Sequence, residues 1–272
     1  MCLIWLGRGV RVKGVLARDA SRFYKPGTMD APFTLITPAP GRASPLLFLC
    51  DHASNAVPPD YDSLGLPAPL FETHIAYDIG AAFVTRALAA AYGAAGLLGD
   101  FSRLLIDLNR GADDPTLVMK LSDGSIIPGN RGADAGEVAR RLARFHAPYH
   151  AAIREQIARI GQGAILISIH SFTPAWKGVG RPWEMGVLYV RDARLAQPLM
   201  KHLAAAGFTV GDNEPYAGAL EGDTLDIHGT KTGHANVLIE IRQDLLADRL
   251  MAENFAARLK PILDAALADM ES

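Results

Sequence analysis

The sequence predicts an α/β fold in a single domain, with a mixed, mainly parallel central sheet flanked by helices on both faces. Three observations carry that expectation. Short, nearly continuous apolar runs such as PLLFLC, AILISIHS and NVLIEI have the length and branched composition of strands buried on both sides. Longer stretches with helical spacing separate them. The runs also end in polar residues (Asp51 and His52, His170 and Ser171, Glu240 and Arg242), as expected where strand ends share one rim and ligands bind outside it.

Residues 45 to 50 form the first of these strands, and the Pro-, Asp- and Gly-rich stretch AVPPDYDSLGLP after it predicts a loop. Between 71 and 92, Ile75, Ile79, Ala82, Phe83, Leu88 and Tyr92 recur at roughly helical spacing, predicting a helix with Asp78 in its early turns, where the dipole favours an acid. GLLGDFSRLLIDLNRG (96 to 111) reads as one or two short strands ending in the polar cluster Asp107, Asn109 and Arg110, and residues 113 to 132 as a hairpin or long loop. A helix is expected over 135 to 160, stopped by Gly161 and Gly163. Strands are expected at 164 to 171, 185 to 190, 208 to 210 and 236 to 241. Helices are expected at 195 to 207 and at 245 to 267, the latter kinked at Pro261.

The chain of 272 residues, 49% of them hydrophobic, can bury one large core. A net charge of −2 excludes a protein built to neutralise nucleic-acid phosphates and favours a small-molecule partner. Cys2 and Cys50 alone make neither a disulfide framework nor a CxxC zinc site, which suits a reducing, cytoplasmic compartment. No apolar run approaches the ~20 residues of a membrane helix, so a soluble chain without membrane partners is expected. Residues 1 to 28 are basic and aperiodic and read as a disordered extension, with Met29 an alternative start. Residues 29 to 272 read as the folded domain.

Two histidines and an acid converging from strand ends make a zinc site, because catalytic zinc takes three protein ligands and keeps one position open. A further carboxylate within reach completes a hydrolase. An arginine at the rim can stabilise an oxyanion or hold a substrate carboxylate through two hydrogen bonds. The bland alternative for His170 is a core histidine on a backbone carbonyl, and for Glu240 a buried partner of Arg242 or Arg103. Arg110 can equally pair with Asp113 or Asp114.

SIHSF (168 to 172), DLNR (107 to 110) and IEIR (239 to 242) resemble the segments of zinc carboxypeptidases and related amidases that supply a metal-binding His, a carboxylate-binding Arg and the catalytic Glu. More closely, CDHASNAVP, THIAYDIGA, FSRLLIDLNR, SIHSFTP and IEIRQDLL follow the order seen in the N-formylglutamate amidohydrolase family, over about residues 45 to 250. The resemblance implies a zinc-exopeptidase-like, phosphorylase/hydrolase-like fold holding one zinc or other divalent ion. It implies hydrolysis of a linear amide in an N-formyl or other N-acyl amino acid such as N-formylglutamate, a step of amino-acid degradation. Carried over by residue, His52 and His170 become metal ligands and Glu240 the general base. Asp78 is the preferred third ligand, with Asn55 the alternative or a substrate contact. Arg110 and Asn109 become carboxylate-binding residues, and Arg103 and Arg242 become candidates for the oxyanion or a second carboxylate.

Three groups stay outside this constellation. His146 and His150 lie four apart on a predicted helix without the Glu of an HExxH motif, and read as structural or as a substrate-proximal edge. His228 and His234 fall in a glycine-containing loop before the last strand, within reach of the pocket. Arg140, Arg141 and Arg144 read as a solvated helix face.

Overall fold

The computed structural model describes residues 32–38, 41, 44–217 and 221–270, so the expected extension at 1 to 28 lies outside the described residues. In chain order the elements are β1 (Phe33–Ile36), β2 (Leu46–Cys50), α1 (Ala81–Tyr92), β3 (Ala95–Gly99), a small hairpin of β4 (Leu121–Ser122) and β5 (Ser125–Ile126), and α2 (Pro128–Arg131). They continue with α3 (Ala135–Arg141), α4 (Ala147–Ile160), β6 (Ile165–Phe172), a second hairpin of β7 (Ala175–Trp176) and β8 (Val179–Gly180), and β9 (Met185–Leu188). The chain ends with α5 (Ala196–Ala205), β10 (Val210–Asp212), α6 (Thr224–His228), β11 (Ala235–Arg242) and α7 (Arg249–Met270).

Seven strands form one sheet in the order β1-β3-β2-β6-β11-β9-β10. Its centre is parallel: β2 pairs with β3 and β6, and β6 with β11. β1 on β3 and β9 on β11 run antiparallel, so the sheet is mixed, as the sequence predicts. Helices cover both faces. Phe48, Ile167, Ile169, Val237 and Ile239 pack beneath α1, α5 and α7, while Leu47, Leu49, Leu166 and Leu238 pack against Tyr149 and Ile153 of α4.

Strand alternation explains the polar intrusions into the two central runs. In β6 the residues sharing one face are Leu166, Ser168 and His170, and in β11 they are Asn236, Leu238 and Glu240. The alternate residues, Ile165, Ile167 and Ile169 with Val237, Ile239 and Ile241, are wholly apolar and buried. One face of each strand therefore supplies core and the other turns polar toward its C-terminal end. In register, Glu240 stands directly beside His170.

Three expectations are corrected. The helix predicted from residue 71 begins only at Ala81, preceded by a 3-10 turn over Ala68–Glu72. Gly80 is the reason: it sits at φ 81, and a Cβ there would come within 2.3 Å of Leu246 Cβ, so the chain turns sharply against the β11 side before the helix starts. Asp78 consequently lies ahead of the helix rather than on it. The strand expected at 208 to 210 lies at Val210–Asp212. Arg141 is not solvated: it is 2% exposed and donates to Leu105 O, Asn130 Oδ1 and Glu137 Oε1. The loop layer formed by residues 56–80 and 100–130 folds over it, around a third core of Leu64, Phe101, Leu104, Ile106 and Phe145.

Elsewhere the expected elements are present. The helix predicted over 135 to 160 runs through α3 and α4 with one π turn at Leu142–His146. Pro148 brings no N–H to that turn, so the regular hydrogen-bond ladder is locally lost there. Pro261 lies inside α7.

Candidate active site

The ends of β2, β6 and β11 bring His52, His170 and Glu240 to one cavity of about 530 Å³, and the loop layer adds Asp78, Arg103, Asn109 and Arg110. His52 sits two residues beyond β2, where its carbonyl accepts from Asp78 N at 3.0 Å and so ties the loop carrying Asp78 to the strand end. One ligand atom from each of His52, Asp78 and His170 lies within 4.8 Å of the others, and all three residues are buried.

Each histidine is oriented from behind by a carboxylate. His52 Nε2 donates to Asp107 Oδ1 at 2.7 Å, and His170 Nε2 donates to Asp51 Oδ2 at 3.1 Å. Both Nδ1 atoms then face Asp78 Oδ2, at 3.4 Å from His52 and 2.8 Å from His170. The rings meet edge to face at 4.9 Å. The backing carboxylates are themselves held. Thr224 Oγ1 donates to Asp51 Oδ1 at 2.8 Å, while Asn109 N and Arg103 Nη2 each donate to Asp107 at 2.9 Å.

The electrostatics follow from these partners. Burial disfavours charge on His170, but hydrogen bonds to Asp51 and Asp78 outweigh it and hold the imidazolium well above its ordinary range. Burial likewise opposes charge on Asp107, where Arg103 and His52 prevail and keep the carboxylate ionised. Glu240 differs: burial, reinforced by Asp78, pushes its carboxyl up to about 7 against the pull of His170 and Arg103. Its Oε2 is buried without a hydrogen-bond partner among the described residues.

This donor set fits a divalent cation. Two imidazole nitrogens and a carboxylate oxygen converge, each imidazole donates its other N–H to a carboxylate, and an unpartnered carboxylate oxygen stands beside them. Nitrogen and oxygen donors of this kind suit zinc and several related ions.

The structure does not bring every sequence candidate into the cavity. Asn55 donates to Phe71 O at 2.8 Å and Glu72 Oε1 at 3.2 Å and does not line it, so the loop after β2 uses that amide internally. Arg242 pairs with Asp244 at 2.8 Å, reaches Trp183 O, and also stands outside. Arg103 lines the cavity bound to Asp78 and Asp107. Arg110 lines it with Nε on Thr116 and Nη1 on the Asn109 carbonyl. His146, His150 and His228 lie behind the cavity wall: His146 donates to Arg110 O and His150 to Leu108 O. Sequence reasoning missed Asp51 and Asp107 as orienting groups, although each sits inside a quoted motif. It also missed Tyr216 and Asp223, which line the cavity. For Asp223 the available signal was an Asp just before a short helix, a helix-capping pattern.

The sequence profile of the N-formylglutamate amidohydrolase family matches residues 44–247, which include every residue of this constellation. The chain belongs to that family. Among solved structures, a gene product of Agrobacterium tumefaciens is 33% identical at a TM-score of 0.84, covering 90% of this chain and 98% of that one. An N-formylglutamate amidohydrolase from Ralstonia eutropha JMP134 is 26% identical at a TM-score of 0.64, covering 89% and 97%. No curated protein matches the chain. The amidohydrolase fold is thus shared over nearly the whole described length. Among the described residues no helix is long and apolar enough to cross a membrane.

Proposed function

We propose that this amidohydrolase cleaves the amide bond of an N-formyl or other N-acyl amino acid, the class that includes N-formylglutamate. The observation that carries the reading is the buried His52, Asp78 and His170 set with the unpartnered Oε2 of Glu240 in the same cavity. His52, Asp78 and His170 would hold one divalent cation, taken to be zinc. When bound, that ion polarises the acyl carbonyl and lowers the pKa of water toward ~7.

The protein's own groups perform the remaining work. Arg110, with Asn109 beside it, holds the substrate carboxylate and so sets the acyl carbon against the histidine pair. Glu240, with a carboxyl near 7, removes a proton from the attacking water. It then returns that proton to the departing nitrogen, so the C–N bond breaks to a free amine and the acyl group leaves as a carboxylic acid. Arg103 keeps its charge beside Asp78 and Asp107 at the cavity wall, where it favours negative charge developing on the acyl oxygen.

Turnover of N-formylglutamate and other N-formyl amino acids by zinc-loaded protein tests the reading. Glu240→Gln is expected to lower kcat by about 10²–10⁴-fold while leaving the fold and the metal content intact. Full activity in a folded Glu240→Gln protein would show that another group is the base.

A further inference from the structure

Four carboxylates, Asp78, Asp223, Asp226 and Glu240, and two guanidinium groups, Arg103 and Arg110, line the cavity among the described residues. The two arginines are unequal. Arg103 is already matched by Asp107 at 2.9 Å and Asp78 at 3.4 Å. Arg110 has Asp114 Oδ2 4.0 Å from its Nε, and its Nη2 makes no hydrogen bond among the described residues, so that edge is open to a carboxylate. Asp223 and Asp226 also line the cavity, on a segment tied to that of Arg110 by Thr224 N donating to Asn109 Oδ1 at 3.1 Å. Lys231 Nζ neutralises Asp226 at 2.7 Å. Asp223 has no such partner: its Oδ1 accepts from Asp226 N at 2.7 Å, and its Oδ2 accepts nothing from the described residues.

Asp223 is 7% exposed as a residue, so it stands on the cavity lining as a largely buried carboxylate with one oxygen that accepts nothing from the described residues. By capping α6 with its own side chain it also occupies the N–H that a substrate anion could otherwise have used. A more open cavity adjoins at Val190, Asp226 and Thr230 and has Arg191, Arg194 and Lys231 on its own lining, none of which lines this one.

Resting on the function proposed above, we infer that the site selects an N-acyl amino acid with a single carboxylate, held by Arg110. Its side chain is an uncharged or cationic hydrogen-bond donor directed at Asp223. A second carboxylate there would face a like charge that no arginine or lysine pairs with among the described residues, and such juxtaposition discriminates strongly in a partly desolvated site. N-formylglutamine and N-formylglutamate differ only in this respect, since the amide and the carboxylate are isosteric.

The test measures dissociation constants of both ligands by calorimetry, using full-length, zinc-loaded Glu240→Gln protein to arrest turnover. Burial pushes the Asp223 carboxyl up to about 6, so titrations at pH 8 keep it ionised. N-formylglutamine is expected to bind at least about ten-fold more tightly. Adding Asp223→Asn, which preserves the helix cap, is expected to close that gap by improving the binding of N-formylglutamate. A gain of binding cannot arise from misfolding. Equal or tighter binding of N-formylglutamate, or a gap that Asp223→Asn leaves unmoved, overturns the inference and leaves the amidohydrolase reading standing. If neither ligand binds and the unmodified zinc-loaded protein turns over no N-acyl amino acid, both fall.

Discussion

Two groups of buried histidines stand on either side of the segment Leu108 to Arg110, and their partners differ in kind. His52 and His170 face Asp107, Asp51 and Asp78, and His170 is held as a cation. His146, His150 and His228 face backbone carbonyls and one another. His146 donates to Arg110 O at 2.9 Å and His150 Nε2 to Leu108 O at 3.0 Å, which leaves His150 Nδ1 to accept from His228 Nε2 at 2.8 Å. Burial, with the neighbouring histidines, pushes His150 down to about 3, and burial with Arg154 pushes His228 down to about 4. Residue type and burial are the same in both groups. The partner decides: carboxylates recruit positive charge, whereas carbonyls and stacked imidazoles hold a neutral chain of N–H donors. The first group can therefore collect a cation. The second grips two carbonyls flanking Asn109 and keeps in place the segment proposed to hold the substrate carboxylate.

The largest expected effect separates the groups by metal content. His170→Asn is expected to reduce bound zinc from about one per chain toward zero after dialysis, measured by atomic absorption, whereas His150→Asn leaves it near one. In His150→Asn the cost is expected in KM, through a looser Arg110, with a smaller change in kcat. Loss of zinc in both variants would break the comparison. An intermediate effect is expected at the orienting carboxylates. Asp51→Asn should weaken zinc affinity by about 10–100-fold in a chelator competition, because the imidazole loses its anionic partner but keeps its position.

The smallest effect concerns stability against pH. For His150 and His228 the folded-state value lies below the unfolded value of about 6.5, so the unfolded chain binds more protons and stability falls as pH drops below that point. His170 has the opposite sign in metal-free protein. Its stabilisation is complete below about 6.5 and is lost only as pH rises through its raised value. Comparing urea midpoints of metal-free protein with those of His228→Asn cancels the other buried acids. Between pH 7.5 and 5.0 the unmodified protein should lose on the order of 1–2 kcal/mol more than the variant. Equal losses would show that His228 is not held neutral.

Much of this was legible in the chain. The three central strands, their order along the chain and the polar residues at their ends follow from apolar runs of strand length, because burial on both faces leaves a strong compositional trace. His52, His170, Glu240, Asn109 and Arg110 stand out for the same reason: ionisable and polar groups close to such runs are costly unless they are used. Other features left weaker traces. Helical periodicity around Asp78 continued across Gly80, and nothing local showed that Leu246 leaves no room for a Cβ there. Arg141 resembled its exposed neighbours on α3 because the loop that buries it is remote in sequence.

By itself, then, the sequence determined which residues could do chemistry and which strands would carry them, since both are matters of residue type and local period. Tertiary structure alone decided the partnerships: Asp107 behind His52, Asp51 behind His170, Asn55 and Arg242 turned away, and Asp223 left as an unpaired acid on the cavity lining. Each of these depends on strand register and loop packing between segments tens of residues apart. A charge state in a buried site is set by the group a few ångströms away, whatever its distance along the chain.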